Sequence, residues 1–169
     1  MLIRGARSGD VAAIAALHAA SWRKAYAGMM PSEFLDGDLL ADRLAVWTER
    51  CAAAVPPGLF VAEDGADLLG FGYATPVPDG RVLLDNLHAA PGRTRGGIGT
   101  ALLATVLDWA ATDHPGRAVH LEVLQANTPA IAFYERHGGT RTATGTAHFE
   151  QGFDLPEFEY SWPAGFRLC

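Results

Sequence analysis

Asn86-Leu87-His88-Ala89-Ala90-Pro91-Gly92-Arg93-Thr94-Arg95-Gly96-Gly97-Ile98-Gly99-Thr100-Ala101-Leu102-Leu103 decides the reading of this chain, together with Leu121-Glu122-Val123-Leu124-Gln125-Ala126-Asn127-Thr128-Pro129-Ala130-Ile131-Ala132-Phe133-Tyr134-Glu135-Arg136-His137-Gly138. Each reads as a strand that breaks into a loop and opens a helix. In the first, the run Val82-Leu83-Leu84 leads into the loop, and Ala101, Leu102, Val106 and Trp109 follow at helical spacing. Backbone N–H groups at a helix start lack intrahelical acceptors, and the helix dipole makes that end positive. Glycines let those amides approach a diphosphate closely. Arg95, Gly96, Gly97, Ile98, Gly99 and Thr100 therefore form a candidate anion cradle, to which Arg93 and Arg95 add charge-assisted hydrogen bonds. A glycine-rich turn without a ligand is the plainer reading of this loop by itself. It is neither a dinucleotide fingerprint nor a Walker loop, because the third glycine and the Gly-Lys-Ser/Thr ending are missing.

In the second segment, His120 and Glu122 share one face of an apolar strand from Ala118 to Leu124. Asn127 or Thr128 is an N-cap, Pro129 sits just inside the helix, and Gly138-Gly139 ends it. Tyr134 then lies on the same helix face as Asn127. A half-buried core aromatic is the plainer reading of Tyr134. A carboxylate between Leu121 and Val123 is costly to bury without a partner, so Glu122 marks a site. The two segments together suggest a phosphate-bearing acyl donor and an acid that protonates its leaving group.

The chain resembles the Gcn5-related N-acetyltransferase (GNAT) superfamily. The family's pyrophosphate signature, Gln/Arg-x-x-Gly-x-Gly/Ala, aligns with Thr94-Arg95-Gly96-Gly97-Ile98-Gly99, with Thr94 in place of Gln or Arg. Leu87, His88 and Ala89 with Pro91 match the splayed strand whose backbone pairs with pantetheine. Asn127, Ala130, Phe133 and Tyr134 meet the motif Asn-x-x-Ala-x-x-Phe/Leu-Tyr in full. The spacing from Leu121-Glu122-Val123 to Asn127 is similar to that of the family's ribosomal-protein acetyltransferases, where the Glu is a base. The resemblance is strongest over residues 82–139, extends to Ile3-Arg4-Gly5-Ala6 and Gly9-Asp10, and fades after residue 140. It implies an α+β, GNAT-like acyl-CoA N-acyltransferase fold, with a mixed central sheet of about six to seven strands flanked by helices on both faces. It also implies acetyl-CoA as co-substrate, cofactor contacts from Asn127 and Tyr134, and acceptor-side aromatics at Trp22 and Tyr26. An aromatic stripe at helical spacing is, on the residues alone, more simply core.

The implied chemistry is direct acetyl transfer to a primary amine, on a small molecule or a peptide N-terminus, through a tetrahedral intermediate. Glu122, directly or through water, suits removal of the ammonium proton, and a backbone N–H near Leu87–Ala89 suits the oxyanion. Tyr134 suits protonation of the departing thiolate. His88 and His120 are alternative bases, and Asp85 could hold a water. Cys51 and Cys169 lie in no nucleophile-like context. A non-catalytic acyl-CoA-binding regulatory module is the competing reading; the retained Glu122 and Tyr134 favour the enzyme.

Composition agrees. At 169 residues and 49% hydrophobic composition, the chain reads as one globular domain over 1–169. No apolar run reaches membrane-spanning length, and two cysteines without a framework point to a cytoplasmic, reducing setting. Six histidines without zinc-ligand spacing imply no metal. A net charge of −6 argues against nucleic acid and for a cationic small partner, and a homodimer stays open. The layout predicts a strand at 2–5 and an amphipathic helix from Asp10 to Ala27, with Val11, Ile14, His18, Trp22, Ala25 and Tyr26 on one stripe. A helical turn at Pro31-Ser32 and a helix marked by Leu40, Leu44, Trp47 and Cys51 follow. Strands at 59–64 and 68–76 flank a Gly65-Ala66-Asp67 turn, and another strand runs over 82–89. Residues 145–152 read as a loop before an alternating strand through Phe158, Tyr160 and Trp162, whose Glu157 and Glu159 line a solvated face.

Overall fold

Small and large residues alternate along Leu69-Gly70-Phe71-Gly72-Tyr73-Ala74, and this alternation sets the layers of the molecule. The structure, a computed structural model, describes residues 1–93 and 96–168. In chain order its elements are β1 (Leu2–Gly5), α1 (Val11–Ala25), α2 (Ser32–Asp36), α3 (Leu39–Arg50), β2 (Leu59–Asp64), β3 (Asp67–Pro76), β4 (Val82–Ala89), α4 (Ile98–Asp113), β5 (Val119–Leu124), α5 (Thr128–Arg136), β6 (Thr140–Phe149) and β7 (Phe153–Trp162). The strands form one mixed sheet in the order β1-β2-β3-β4-β5-β7-β6. Its neighbours are antiparallel except for the parallel pair β4–β5.

On one face of β3, Gly70, Gly72 and Ala74 leave room for α4. A Cβ on Gly70 would stand 2.8 Å from Ile98 Cγ2 and 2.7 Å from the His88 carbonyl oxygen, and one on Gly72 would stand 3.4 Å from Val106. The α4 side chains Leu102, Leu103, Val106 and Leu107 are fully buried there. On the other face, Phe71 and Tyr73 pack with Ile14 of α1 and Trp47 of α3. Helices thus cover both faces, as the family resemblance implies.

The far half of the sheet anchors α5, a helix with no fully buried residue. The Tyr160 hydroxyl donates to the Glu135 carboxylate (2.7 Å), and Trp162 Nε1 donates to the His137 carbonyl (2.8 Å). At the opposite edge, Arg4 bridges Asp10 (2.7 Å) and Glu63 (2.6 Å), tying β1 to β2 and to the turn before α1.

One expectation is corrected. Residues 145–149 belong to β6, which pairs with β7 from Thr140–Ser161 to Phe149–Phe153. This edge strand is mostly exposed and has no large apolar residue before Phe149 to give an apolar alternation; β7 supplies the pairing that makes it a strand. The helix marked by Leu40, Leu44 and Trp47 is α3, in which Leu39 and Trp47 are buried while Leu40 and Leu44 are exposed.

Gly70→Ala weighs two opposed effects. Reduced freedom of the unfolded chain stabilises by about 0.4–1 kcal/mol. Overpacking against a carbonyl and two α4 side chains costs about 1–3 kcal/mol. The net expectation is a lower midpoint in urea unfolding with an unchanged slope; a midpoint at or above that of the parent contradicts the packing account.

Candidate active site

The parallel ladder between β4 and β5 lasts only for Val82–Val119 and Leu83–His120. Beyond it β4 follows β3 to Ala89, and β5 follows β7 to Leu124. The two strands part, and a register shift opposite Tyr73/Ala74 accompanies the parting. A cavity of about 220 Å³ lies in the opening. Its walls bring together Ser21 from α1, Tyr26 just past the C-terminal end of α1, His88 from β4, Glu122 from β5, Asn127 and Tyr134.

Each of these side chains has a local reason for its place. Asn127 caps α5, its Oδ1 accepting from the Ala130 amide at 3.4 Å, with Pro129 at the helix start. That cap sets the rotation of α5 and turns Tyr134 into the opening, where it packs on Phe133 and Trp162. Burial, with the Tyr26 hydroxyl nearby, pushes the Tyr134 hydroxyl above the ordinary tyrosine range, so it remains a proton donor at neutral pH. Glu122 is exposed at the cavity edge, and its cross-strand neighbour is Glu159. Glu159 is engaged by Arg81 (3.0 Å) and Thr142 (2.6 Å), and Asp85 by Arg50 (2.8 Å).

Within the cavity walls, Ser21 Oγ and His88 Nδ1 are 2.9 Å apart. The His88 ring lies against His18 (centroids 4.7 Å) and Phe71 (5.3 Å). Trp47 Nε1 donates to His18 Nδ1 at 3.0 Å. Burial holds both imidazoles neutral, pushing His88 down to about 4.

The opening continues past Ala89, Ala130 and Phe133 into a second cleft of about 590 Å³. Gly97, Ile98, Gly99 and Thr100 form one wall, and Arg136 and His137 the other, with Arg93 at the rim. Gly97 takes the left-handed conformation (φ 75°) that lets the chain enter α4. The first intrahelical bond runs from the Ala101 amide to Gly97, leaving the amides of residues 98–100 without helical acceptors. The Thr100 hydroxyl and His137 Nε2 meet at 3.0 Å while His137 Nδ1 donates to the Phe133 carbonyl (2.7 Å), so the walls are pinned together.

The structure thus gathers Leu87, His88, Ala89, Glu122, Asn127, Tyr134 and Tyr26 at the cavity, and Gly97–Thr100 at the adjoining cleft. Gly96 lies in the bend leading to α4. Thr94, Arg95 and Cys169 lie outside the described residues. Trp22 packs against Tyr26 and Phe34, beneath the Arg43 guanidinium, and does not line the cavity. His120 is buried with Nδ1 unpartnered among the described residues, away from the cavity lining. Sequence reasoning missed Ser21 as a wall residue; its signal was a polar side chain three residues after His18 on the same α1 face.

The sequence model of the Acetyltransferase (GNAT) family matches residues 14–139. The chain belongs to this family. It is 30% identical over 144 residues to a protein of Mycobacterium tuberculosis named a probable N-acetyltransferase, covering 79% of this chain and 76% of that one. It is 28% identical over 167 residues to an uncharacterized N-acetyltransferase of Bacillus subtilis, covering 95% and 92%. Among solved structures, the fold is shared with a ribosomal-protein-alanine N-acetyltransferase from Brucella melitensis (TM-score 0.73, 22% identity, 96% and 99% covered). It is also shared with an N-acetyltransferase from Thermoplasma acidophilum in complex with coenzyme A (TM-score 0.69, 18% identity, 95% and 98% covered).

The desolvated imidazole of His88 gives a test with a definite sign. In the unfolded chain His88 titrates near the ordinary value of about 6.5. Its folded pKa is lowered, so the stability it contributes is present above that value and is lost as pH falls toward about 4. Imidazole ¹⁵N NMR is expected to show His88 still neutral at pH 5.5. A His88 that is mostly protonated at that pH contradicts the burial described for it.

Proposed function

We propose that this chain moves the acetyl group of acetyl-CoA directly to a primary amine, on a small molecule or a peptide N-terminus. One observation carries the reading: a neutral, desolvated tyrosine hydroxyl and a carboxylate with no ion-pair partner among the described residues, Tyr134 and Glu122, line one cavity where β4 and β5 part.

The residues present suit the co-substrate. The free amides of residues 98–100 at the positive end of α4, with Arg93 and Arg136 across the cleft, suit a diphosphate. The edge of β4 from Leu84 to Ala89, unpaired toward β5, offers backbone donors and acceptors to an amide-bearing arm. Asn127 and Tyr134 face the end of that arm. Acetyl-CoA supplies the activated acyl carbon. Glu122 takes the ammonium proton, directly or through water, and so frees the amine lone pair. A β4 amide near Leu87–Ala89 stabilises the oxyanion. Tyr134, protonated because it is buried, gives its proton to the leaving thiolate. Tyr26, beside Tyr134, lines the acceptor side of the cavity.

Tyr134→Phe is expected to lower kcat roughly ten- to a thousandfold, as loss of a general acid does, with little change in acetyl-CoA affinity. Glu122→Gln, which cannot accept a proton, should slow turnover of the same amines. The assay is release of free thiol from acetyl-CoA across amino acids, peptides, polyamines and antibiotics, with calorimetry for binding. Calorimetric binding without turnover of any amine would make the chain the non-catalytic acyl-CoA-binding module instead.

A further inference from the structure

The cavity contains a pair of groups that acid–base chemistry leaves unused. Ser21 is 8% exposed, and its only hydrogen-bond partner among the described residues is His88 Nδ1 at 2.9 Å. A buried hydroxyl hydrogen needs an acceptor. Ser21 makes no bond back to a carbonyl of its own helix, unlike Thr105, which donates to Ala101. With the Ser21 hydroxyl as donor, Nδ1 of His88 accepts, and in that neutral imidazole the other nitrogen, Nε2, carries the hydrogen. Nε2 has no partner among the described residues and is not sealed off, as Nε2 of His18 is. His88 lines the cavity, so it presents a fixed N–H donor from the β4 wall. Glu122 stands in the wall formed by β5. The hydroxyls of Tyr26 and Tyr134 take no partner among the described residues either and lie in the same walls.

A carboxylate and an N–H donor lining one opening match a particular kind of amine. We propose that His88, held in its Nε2–H form by Ser21, donates to a carbonyl oxygen of the acceptor, so that the preferred substrate is an α-aminoacyl amine and not a plain alkylamine. In such an acceptor the nucleophilic nitrogen and a carbonyl oxygen are separated by only two carbons, so one end faces Glu122 while the other faces His88. An alkylamine fills the cavity but leaves the donor desolvated and unpaired, which is how a polar site rejects an analogue lacking the matching group. His88 does not serve as the base in this arrangement, because its cavity-facing nitrogen already bears a hydrogen. The inference rests on the acetyltransferase reading above.

The test compares kcat/KM for alaninamide and for the peptide Ala-Ala-Ala with kcat/KM for propylamine, in the parent, His88→Leu, His88→Gln and Ser21→Ala. Each variant is compared by the ratio of aminoacyl to alkylamine efficiency, so the differing reactivity of the amines cancels. His88→Leu is expected to lower that ratio about tenfold, the scale of one hydrogen bond to substrate. His88→Gln, whose amide nitrogen reaches the place of Nε2, should restore most of it, and Ser21→Ala should lower it by a smaller factor. The two aminoacyl arms separate free amino-acid derivatives from peptide N-termini as the natural form. A ratio unchanged in His88→Leu overturns the inference. So does an equal loss on all three amines, which would place the donor on the thioester instead. Tautomer NMR on the parent needs no variant: His88 protonated on Nδ1 also overturns it. If the parent acetylates no amine, the acetyltransferase reading itself fails, a result distinct from an unmoved ratio in an active enzyme.

Discussion

Everything at the site depends on the β4–β5 ladder ending after two residue pairs. Adjacent strands in a sheet lie about 4.8 Å apart and satisfy each other's backbone groups. Where they separate, one edge of each loses its partner while the other edge stays held, β4 by β3 and β5 by β7. Rigid pairing on the outer edges keeps the inner edges apart without collapse. The result is an opening lined by backbone donors and acceptors, with side chains from both strands facing one volume. Asn86 is buried near the parting, its amide donating to the Asp85 carboxylate at 2.7 Å.

The core desolvates the titratable groups that line the opening. The same desolvation lifts the Tyr134 hydroxyl and lowers the His88 imidazole, so both are neutral at working pH. A neutral phenol can give a proton, and a neutral imidazole whose one nitrogen accepts a hydrogen bond donates from the other. Tyr134 owes its position to long-range contacts more than to its own helix. α5 is short and half-exposed, and it is held by Tyr160 and Trp162 reaching across from β7 and by His137 reaching to Thr100. These bonds also place the first turn of α4 opposite the end of α5, so the glycine-walled cleft and the β4–β5 cavity form one continuous groove.

Much of this was legible in the sequence where local chemistry dictates local form. The Asn127 cap with Pro129, the glycine entry to α4 and the Gly65-Ala66 turn each need particular residue types, and the elements begin or end where those types stand. The Asn127–Tyr134 spacing placed both on the cavity side of one helix. What failed depended on distant partners. β6 exists because β7 pairs with it, and nothing in Thr140–Phe149 announces that. Trp22 and Tyr26 shared a predicted stripe, yet α2 and α3 claim Trp22 and leave Tyr26 to the opening. Ser21 gained its meaning only when β4 brought His88 beside it, across a long stretch of sequence.

The central claim is that the parted strands hold the acyl end of the co-substrate between Tyr134 and Glu122. A crystal structure of this chain with coenzyme A tests it most directly. The account predicts the pantetheine arm hydrogen-bonded to the β4 edge near Leu87–Ala89, the diphosphate on the amides of residues 98–100, and the sulfur within about 3.5 Å of the Tyr134 hydroxyl. Coenzyme A bound elsewhere, or a thiol directed away from the β4–β5 opening, would contradict it.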